Sequence, residues 1–157
     1  MCSYCGCRAI PTIADLTAEH EEISYVAGEL RRALLRGDPA AARARIDELR
    51  ALLHPHNTVE EVGIYPAMAR QAEYAEAVGI LFDEHDEIDA VLGGALDPDG
   101  ELVPEPILAA LELLTRHVDK EENGLFPAAA VVFDAADWTV AEQARDTVSP
   151  APDAAAG

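Results

Sequence analysis

His56-Asn57-Thr58-Val59-Glu60-Glu61-Val62-Gly63-Ile64-Tyr65-Pro66 is written a second time as His117-Val118-Asp119-Lys120-Glu121-Glu122-Asn123-Gly124-Leu125-Phe126-Pro127. The histidine, both glutamates, the glycine, the aromatic ring and the proline coincide. A second pair accompanies it: Glu19-His20-Glu21-Glu22-Ile23 and Glu84-His85-Asp86-Glu87-Ile88. Each half of the chain therefore supplies a histidine and then His-x-x-x-Glu. Four imidazoles and two carboxylates are the donor set of a two-metal site inside a helical bundle.

Around these motifs the punctuation predicts four long helices. Helix A starts near Ile13, with Thr12 as its cap and Asp15 three residues on, and stops at Gly37. Helix B opens at Asp38-Pro39, a cap followed by proline at the first helical position, and runs to about Tyr65, before Pro66. Helix C covers roughly 73–95, ending at Gly93-Gly94 and the turn Asp97-Pro98-Asp99-Gly100. Helix D runs from about Pro106 to Phe126, before Pro127, and a short fifth helix is expected from Ala136 to Thr147.

Each helix carries one stripe at steps of three and four. Helix A gives Ile13, Leu16, His20, Ile23, Ala27, Leu30 and Leu34; helix B gives Ile46, Leu49, Leu53, His56, Glu60 and Gly63. Helix C gives Val78, Leu81, His85, Ile88, Leu92 and Ala95; helix D gives Ile107, Ala110, Leu114, His117, Glu121 and Gly124. Such stripes are what an up-down four-helix bundle buries, so the fold class is all-α. The polar residues interrupt these seams at matching heights.

An unpartnered buried carboxylate costs several kcal/mol or stays neutral. Two of them beside four imidazoles call for a common cation partner, and nitrogen and oxygen donors suit iron, manganese or zinc. The spacing of four in His56–Glu60 and His117–Glu121 puts both donors on one helix face. The expected arrangement has His20 and His56 ending one metal, His85 and His117 the other, with Glu60 and Glu121 spanning both.

The 157 residues suit one domain with a full core, half of them are hydrophobic, and the net charge of -19 argues against nucleic-acid partners. No apolar run is long enough to span a bilayer and no secretory leader pattern opens the chain, so no membrane partner and a cytoplasmic location are expected. The expected organisation is a Cys-rich head (1–11), the bundle (12–127), an extension with the short helix (128–148) and a disordered tail (149–157).

At the quoted residues the chain resembles the hemerythrin-like family, or HHE cation-binding domain, over about residues 12–127. The resemblance implies that His20, His56, Glu60, His85, His117 and Glu121 ligate a non-heme di-iron centre with an oxo or hydroxo bridge; spacing alone leaves manganese open. It implies a small ligand: hydrogen peroxide, oxygen or nitric oxide. Two function classes follow, a peroxidase-like, catalase-like or nitric-oxide-reacting oxidoreductase, and an oxygen- or iron-binding sensor or carrier without turnover. Two departures stand out. Oxygen-carrying hemerythrins have a further histidine one turn before the helix C histidine, where this chain has Leu81. They also place the helix D carboxylate five residues after its histidine, at Glu122 here, whereas the helix B spacing and the seam point to Glu121.

Tyr25, Tyr65 and Asp89 are candidates for the gap at Leu81. Tyr65, nine residues after His56, is expected nearer the bundle end, and all three are read as packing or supporting residues before ligands. Glu61 and Glu122 are candidates for orienting ligand imidazoles. His54, two residues from His56 and before Pro55, is read as a surface or supporting residue. Gly63 and Gly124 leave room near the metals or let helices approach. Cys2, Cys5 and Cys7 crowd the head and are candidates for metal binding, disulfide exchange or electron transfer with a redox partner.

Overall fold

Asp38-Pro39 marks the first sharp turn of the chain. Helix α1 (Pro11–Leu35) ends with Gly37 at φ 67°. Gly37 N–H donates to the Leu34 carbonyl at 3.0 Å and Asp38 N–H to the Ala33 carbonyl at 3.0 Å, the paired bonds of a Schellman ending. The Asp38 side chain then accepts from Ala41 N–H at 3.0 Å and starts α2 (Pro39–Val59). One residue thus closes one helix and caps the next.

The computed structural model describes residues 6–96 and 100–148. After α2 the chain continues through a wide π-turn (Glu60–Ile64) into α3 (Tyr65–Ala69), then α4 (Ala75–Gly94) and α5 (Pro104–Lys120). A second π-turn (Glu121–Leu125) leads into α6 (Phe126–Val132), and α7 (Ala135–Val148) follows. A single 3-10 turn (Cys7–Ala9) precedes α1. The described residues are all helical in class, with no strand. Helix α1 packs on α2 and α5, and α4 packs on α5 and α2, so the long helices form a bundle. No helix among the described residues is long and apolar enough to cross a membrane.

Several boundaries differ from the sequence reading. Helix α1 starts at Pro11, and Thr12 is a buried helical residue with no capping role. A proline needs no partner for its missing N–H in the first turn, so Pro11 initiates the helix. Helices B and D do not stop before Pro66 and Pro127. In each, the wide turn gives an i→i−5 bond, from Tyr65 N–H to the Glu60 carbonyl and from Phe126 N–H to the Glu121 carbonyl. The inserted residue lets each chain resume a fresh helix whose first turn accepts the proline. Pro55 lies within α2, which runs on through it. The tail 149–157, Cys2, Cys5 and most of the turn at 97–100 lie outside the described residues.

The stripes are buried up to the glutamates, with Ala27 and Ala95 half-buried, and then the π-turns shift the register. Leu125 and Phe126 face the core, while Gly124 is exposed. Gly63 is buried against α7, on the outer side of the turn: a Cβ there would lie 2.7 Å from Ala141 Cα. Gly124, its repeat partner, has nothing within 4 Å of that position. Gly63→Ala is therefore expected to lower the melting temperature, because the clash costs about 1–3 kcal/mol against a propensity gain of about 1 kcal/mol. Gly124→Ala keeps the gain without the clash and should raise it. A thermal melt of the matched pair checks both signs.

The core falls into two apolar clusters with the polar layer between them. One is built on Ile23, Leu30, Ile46, Leu49, Leu92 and Ile107, the other on Ile13, Leu16, Ile64, Met68, Leu81 and Phe126. Cys7 and Ala141, from either end of the described chain, complete the second. Cys7 is only 4 % exposed, so this thiol packs into the core and is not displayed on a surface head.

Candidate metal centre

Glu60 and Glu121 are 0 % exposed and lie between four buried histidines. The ligand atoms of His20, His56, Glu60 and Glu121 all fall within 4.8 Å of one another, as do those of Glu60, His85, His117 and Glu121. Both glutamates belong to both groups, and the histidines divide into the pairs expected from the repeat. Each carboxylate turns one oxygen to each pair. Glu60 Oε1 is 3.2 Å from His56 Nε2 and Oε2 is 3.4 Å from His85 Nε2. Glu121 Oε1 is 3.3 Å from His117 Nε2 and Oε2 is 3.1 Å from His20 Nε2.

The outward ring nitrogens are held just as regularly. His20 Nδ1 lies 2.8 Å from Glu122 Oε1, and His85 Nδ1 lies 2.7 Å from Glu61 Oε1. His56 Nδ1 lies 2.8 Å from Glu19 Oε2, and His117 Nδ1 lies 2.9 Å from Glu84 Oε2. A carboxylate accepts from Nδ1–H, which leaves each Nε2 lone pair pointing inward. His85 Nε2 and His117 Nε2 then face each other at 2.9 Å. Two lone pairs at that distance need a proton or a cation. Among the described residues His20 Nε2, both oxygens of Glu60 and Oε2 of Glu121 are buried without a hydrogen-bond partner. Buried polar atoms are rarely left so, and orphans gathered between the two histidine pairs fit positively charged occupants. The donor set and its orphans fit metal cations.

Without a cation the cluster must hold protons. Burial opposes charge on His56, but the attraction of Glu60 and the hydrogen bond to Glu19 push its pKa up to about 10. Burial likewise opposes charge on His117, and the neighbouring Glu121 pushes it up to about 9. Burial alone would raise the Glu121 carboxyl, yet His117 and His20 hold it well below its ordinary range; Glu60 is lowered by His56 and His85 against the same penalty and against repulsion from Glu121. Burial, then the nearby carboxylates, raises the Tyr65 phenol, which therefore stays protonated.

Tyr65 is at the site and not toward the bundle end. Its hydroxyl donates to Glu121 Oε1 and lies 3.3 Å from His85 Nε2. An ideal helix would turn Tyr65 away; the π-turn makes the five-residue step from Glu60 to Tyr65 one wide turn, so both share a face. The same device in the second half stacks Phe126 on His20, with centroids 5.6 Å apart, as Tyr65 stacks on His85 at 5.5 Å. The hydroxyl is the one chemical difference between these two positions.

The other candidates do not reach the centre. Tyr25 is 65 % exposed on α1. Asp89 is exposed and pairs with Arg50 at 3.3 Å. His54 is exposed on the wall of a 460 Å³ cleft that also meets Glu61 and His85. Helix geometry explains all three, since none sits on its helix's inward stripe. Conversely, Glu19 and Glu84 are functional residues to which the sequence reading assigns no role. Their signal was present: each precedes a predicted ligand histidine in its own half, yet reaches a histidine of the neighbouring helix.

A cavity of about 10 Å³ touches all four histidines and is roofed by Ile23, Leu53, Ile88 and Leu114. It has room for about one water-sized molecule. No curated protein and no solved structure matches the chain. The sequence does match the hemerythrin HHE cation binding domain over residues 11–129, which is most of its length. That segment carries all six inward donors, and the chain belongs to the hemerythrin HHE cation-binding domain family.

Proposed function

We propose that this chain is a cytoplasmic, up-and-down four-helix bundle whose His20, His56, Glu60, His85, His117 and Glu121 hold two non-heme irons, and that it reacts with or senses hydrogen peroxide, oxygen or nitric oxide. The observation that carries the reading is the pair of fully buried carboxylates, each shared between two histidine pairs, with orphaned atoms facing inward between them. Bound there, an iron pair supplies electron transfer to or from a small oxygen or nitrogen ligand. Glu60 and Glu121 offset the positive charge from between the pairs. Glu19, Glu61, Glu84 and Glu122 keep the imidazoles in one tautomer. The roof, apolar apart from Asn57, leaves little room for water and restricts the ligand to a few atoms.

Leu81 stands where oxygen carriers of the family have a further histidine, and Tyr65 brings its hydroxyl to the same His85–His117 end. That hydroxyl is the candidate proton donor, or the replacement ligand, of the site. It favours the reactive reading over the carrier. Tyr65→Phe is expected to keep the metal stoichiometry and to slow the reaction with peroxide by about a hundredfold, the lower end of what a placed proton donor contributes. An unchanged rate would assign Tyr65 to packing.

The direct test loads the protein with iron anaerobically and follows its visible spectrum on adding peroxide, oxygen or nitric oxide in turn. Catalytic loss of peroxide or nitric oxide supports an oxidoreductase. A reversible oxygen spectrum without turnover supports the sensor or carrier. A loaded centre that none of the three perturbs contradicts the proposal.

A further inference from the structure

We propose that Arg145 is a positioning residue: from a helix outside the family's segment it fixes His56 through Glu19, and so sets how tightly the ion of the His20–His56 pair is held. The inference rests on the dinuclear reading above.

The contacts run in one line. Both terminal nitrogens of Arg145 reach Glu19, with Nη2 3.2 Å from Oε2, and that same oxygen lies 2.8 Å from His56 Nδ1. A guanidinium fork on a carboxylate fixes its orientation as well as its charge. Arg145 is only 18 % exposed at its side chain, while Glu19 is 32 % exposed, so the guanidinium is the better covered of the two. Burial works against ionisation of Glu19, but its bonds to His56 and Arg145 hold the carboxyl below its ordinary value.

Helix α7 is seated by a separate feature. Gly63 lies in the wide turn that begins at Glu60, and its missing Cβ makes the space that Ala141 occupies. Ala141 and Ala144 are buried, and Arg145 follows them along the helix. The turn that carries a shared carboxylate is thus also the dock for the helix that braces a histidine.

The bracing is unequal between the two pairs. The family segment spans 11–129, and Arg8 lies outside it at the other end. Arg8 pairs with Glu122 at 3.2 Å, and Glu122 holds His20 at 2.8 Å. Both histidines of one pair are therefore steadied from outside the segment. In the other pair Lys120 holds Glu84 behind His117, while among the described residues no lysine or arginine pairs with the Glu61 behind His85. The chain has 11 Lys and Arg against 30 Asp and Glu, yet three of those cations stand behind these carboxylates. The His20–His56 end is the more rigid, and it fills first.

The test titrates metal-free full-length protein anaerobically with ferrous ion against a chromophoric chelator. Wild type should show two binding steps. Arg145→Gln should weaken the tighter step about ten- to a hundredfold, the usual effect of losing an outer partner of a ligand histidine, and leave the other in place. Arg145→Lys should recover part of the loss, and Gly63→Ala, which displaces α7, should weaken the same step. Lys120→Gln should weaken the other step. Glu19→Gln, which keeps the side chain's size, carries the same expectation should Arg145→Gln not fold by circular dichroism. Two wild-type steps that Arg145→Gln leaves untouched, or shifts equally, overturn the positioning role alone. Wild-type protein that takes up one ion or none overturns the dinuclear reading and the positioning role together.

Discussion

Glu60→Ala or Glu121→Ala is expected to reduce the protein from two bound ions per chain to one or none. No other substitution should cost as much metal, because each of these carboxylates turns an oxygen to both histidine pairs. Removing one takes a ligand and a negative charge from both ions at once. The four imidazoles that remain are neutral donors and supply no charge to compensate. The loss should also appear as stability. An ion present at a hundred times its Kd adds about 2.7 kcal/mol, or about 5–10 °C in Tm per ion for a chain of this size. The variants should lose most of the metal-dependent rise in Tm. Unchanged metal content in both would mean that the two glutamates do not bridge.

Metal affinity is expected to rise with pH up to about 9–10, while the metal-free protein loses stability over the upper part of that range. His56 has its pKa pushed up to about 10 and His117 to about 9 in the metal-free cluster. A raised histidine pKa contributes stability that is fully present below about 6.5 and is lost as pH passes through 9 and 10. The depressed Glu60 and Glu121 contribute the complementary part: present above the ordinary carboxylate pKa of 4.5 and lost as pH falls through their lowered values. Metal must displace the protons on His56 and His117, so binding releases them. Below 9 the affinity of the pair should gain up to about tenfold per pH unit for each proton displaced. Melting curves from pH 6 to 10, with and without ferrous ion, should diverge as pH rises. Curves that stay parallel would mean that no proton competes with the metal.

The repeat made the site's donors legible because metal chemistry demands particular residue types and helices impose particular spacings. His20 and His85 each belong to a seam and each recur, and no packing argument requires a histidine there. The Asp38-Pro39 start was equally readable, since the cap and the proline act through their nearest neighbours. The π-turns were not read, although the five-residue step from Glu60 to Tyr65 and from Glu121 to Phe126 was in the quoted repeat. A constant helical period sends Tyr65 away from the core and Gly124 into it, and the extra residue reverses both. Arg8 and Arg145 escaped for another reason. Their partners Glu122 and Glu19 are 114 and 126 residues away, and a long-range ion pair leaves no local pattern. Glu19 and Glu84 show the middle case, with a sequence signal whose meaning depends on which helix stands opposite.

The central claim is that four histidines and two shared carboxylates hold a pair of iron ions. Metal analysis of the purified protein after anaerobic loading with ferrous ion and exposure to air, read with its visible spectrum, tests it most directly. The account predicts two irons per chain and the absorption of an oxo- or hydroxo-bridged ferric pair, both lost in Glu60→Ala. One iron or none per chain, or two irons that Glu60→Ala retains with the same absorption, would contradict it.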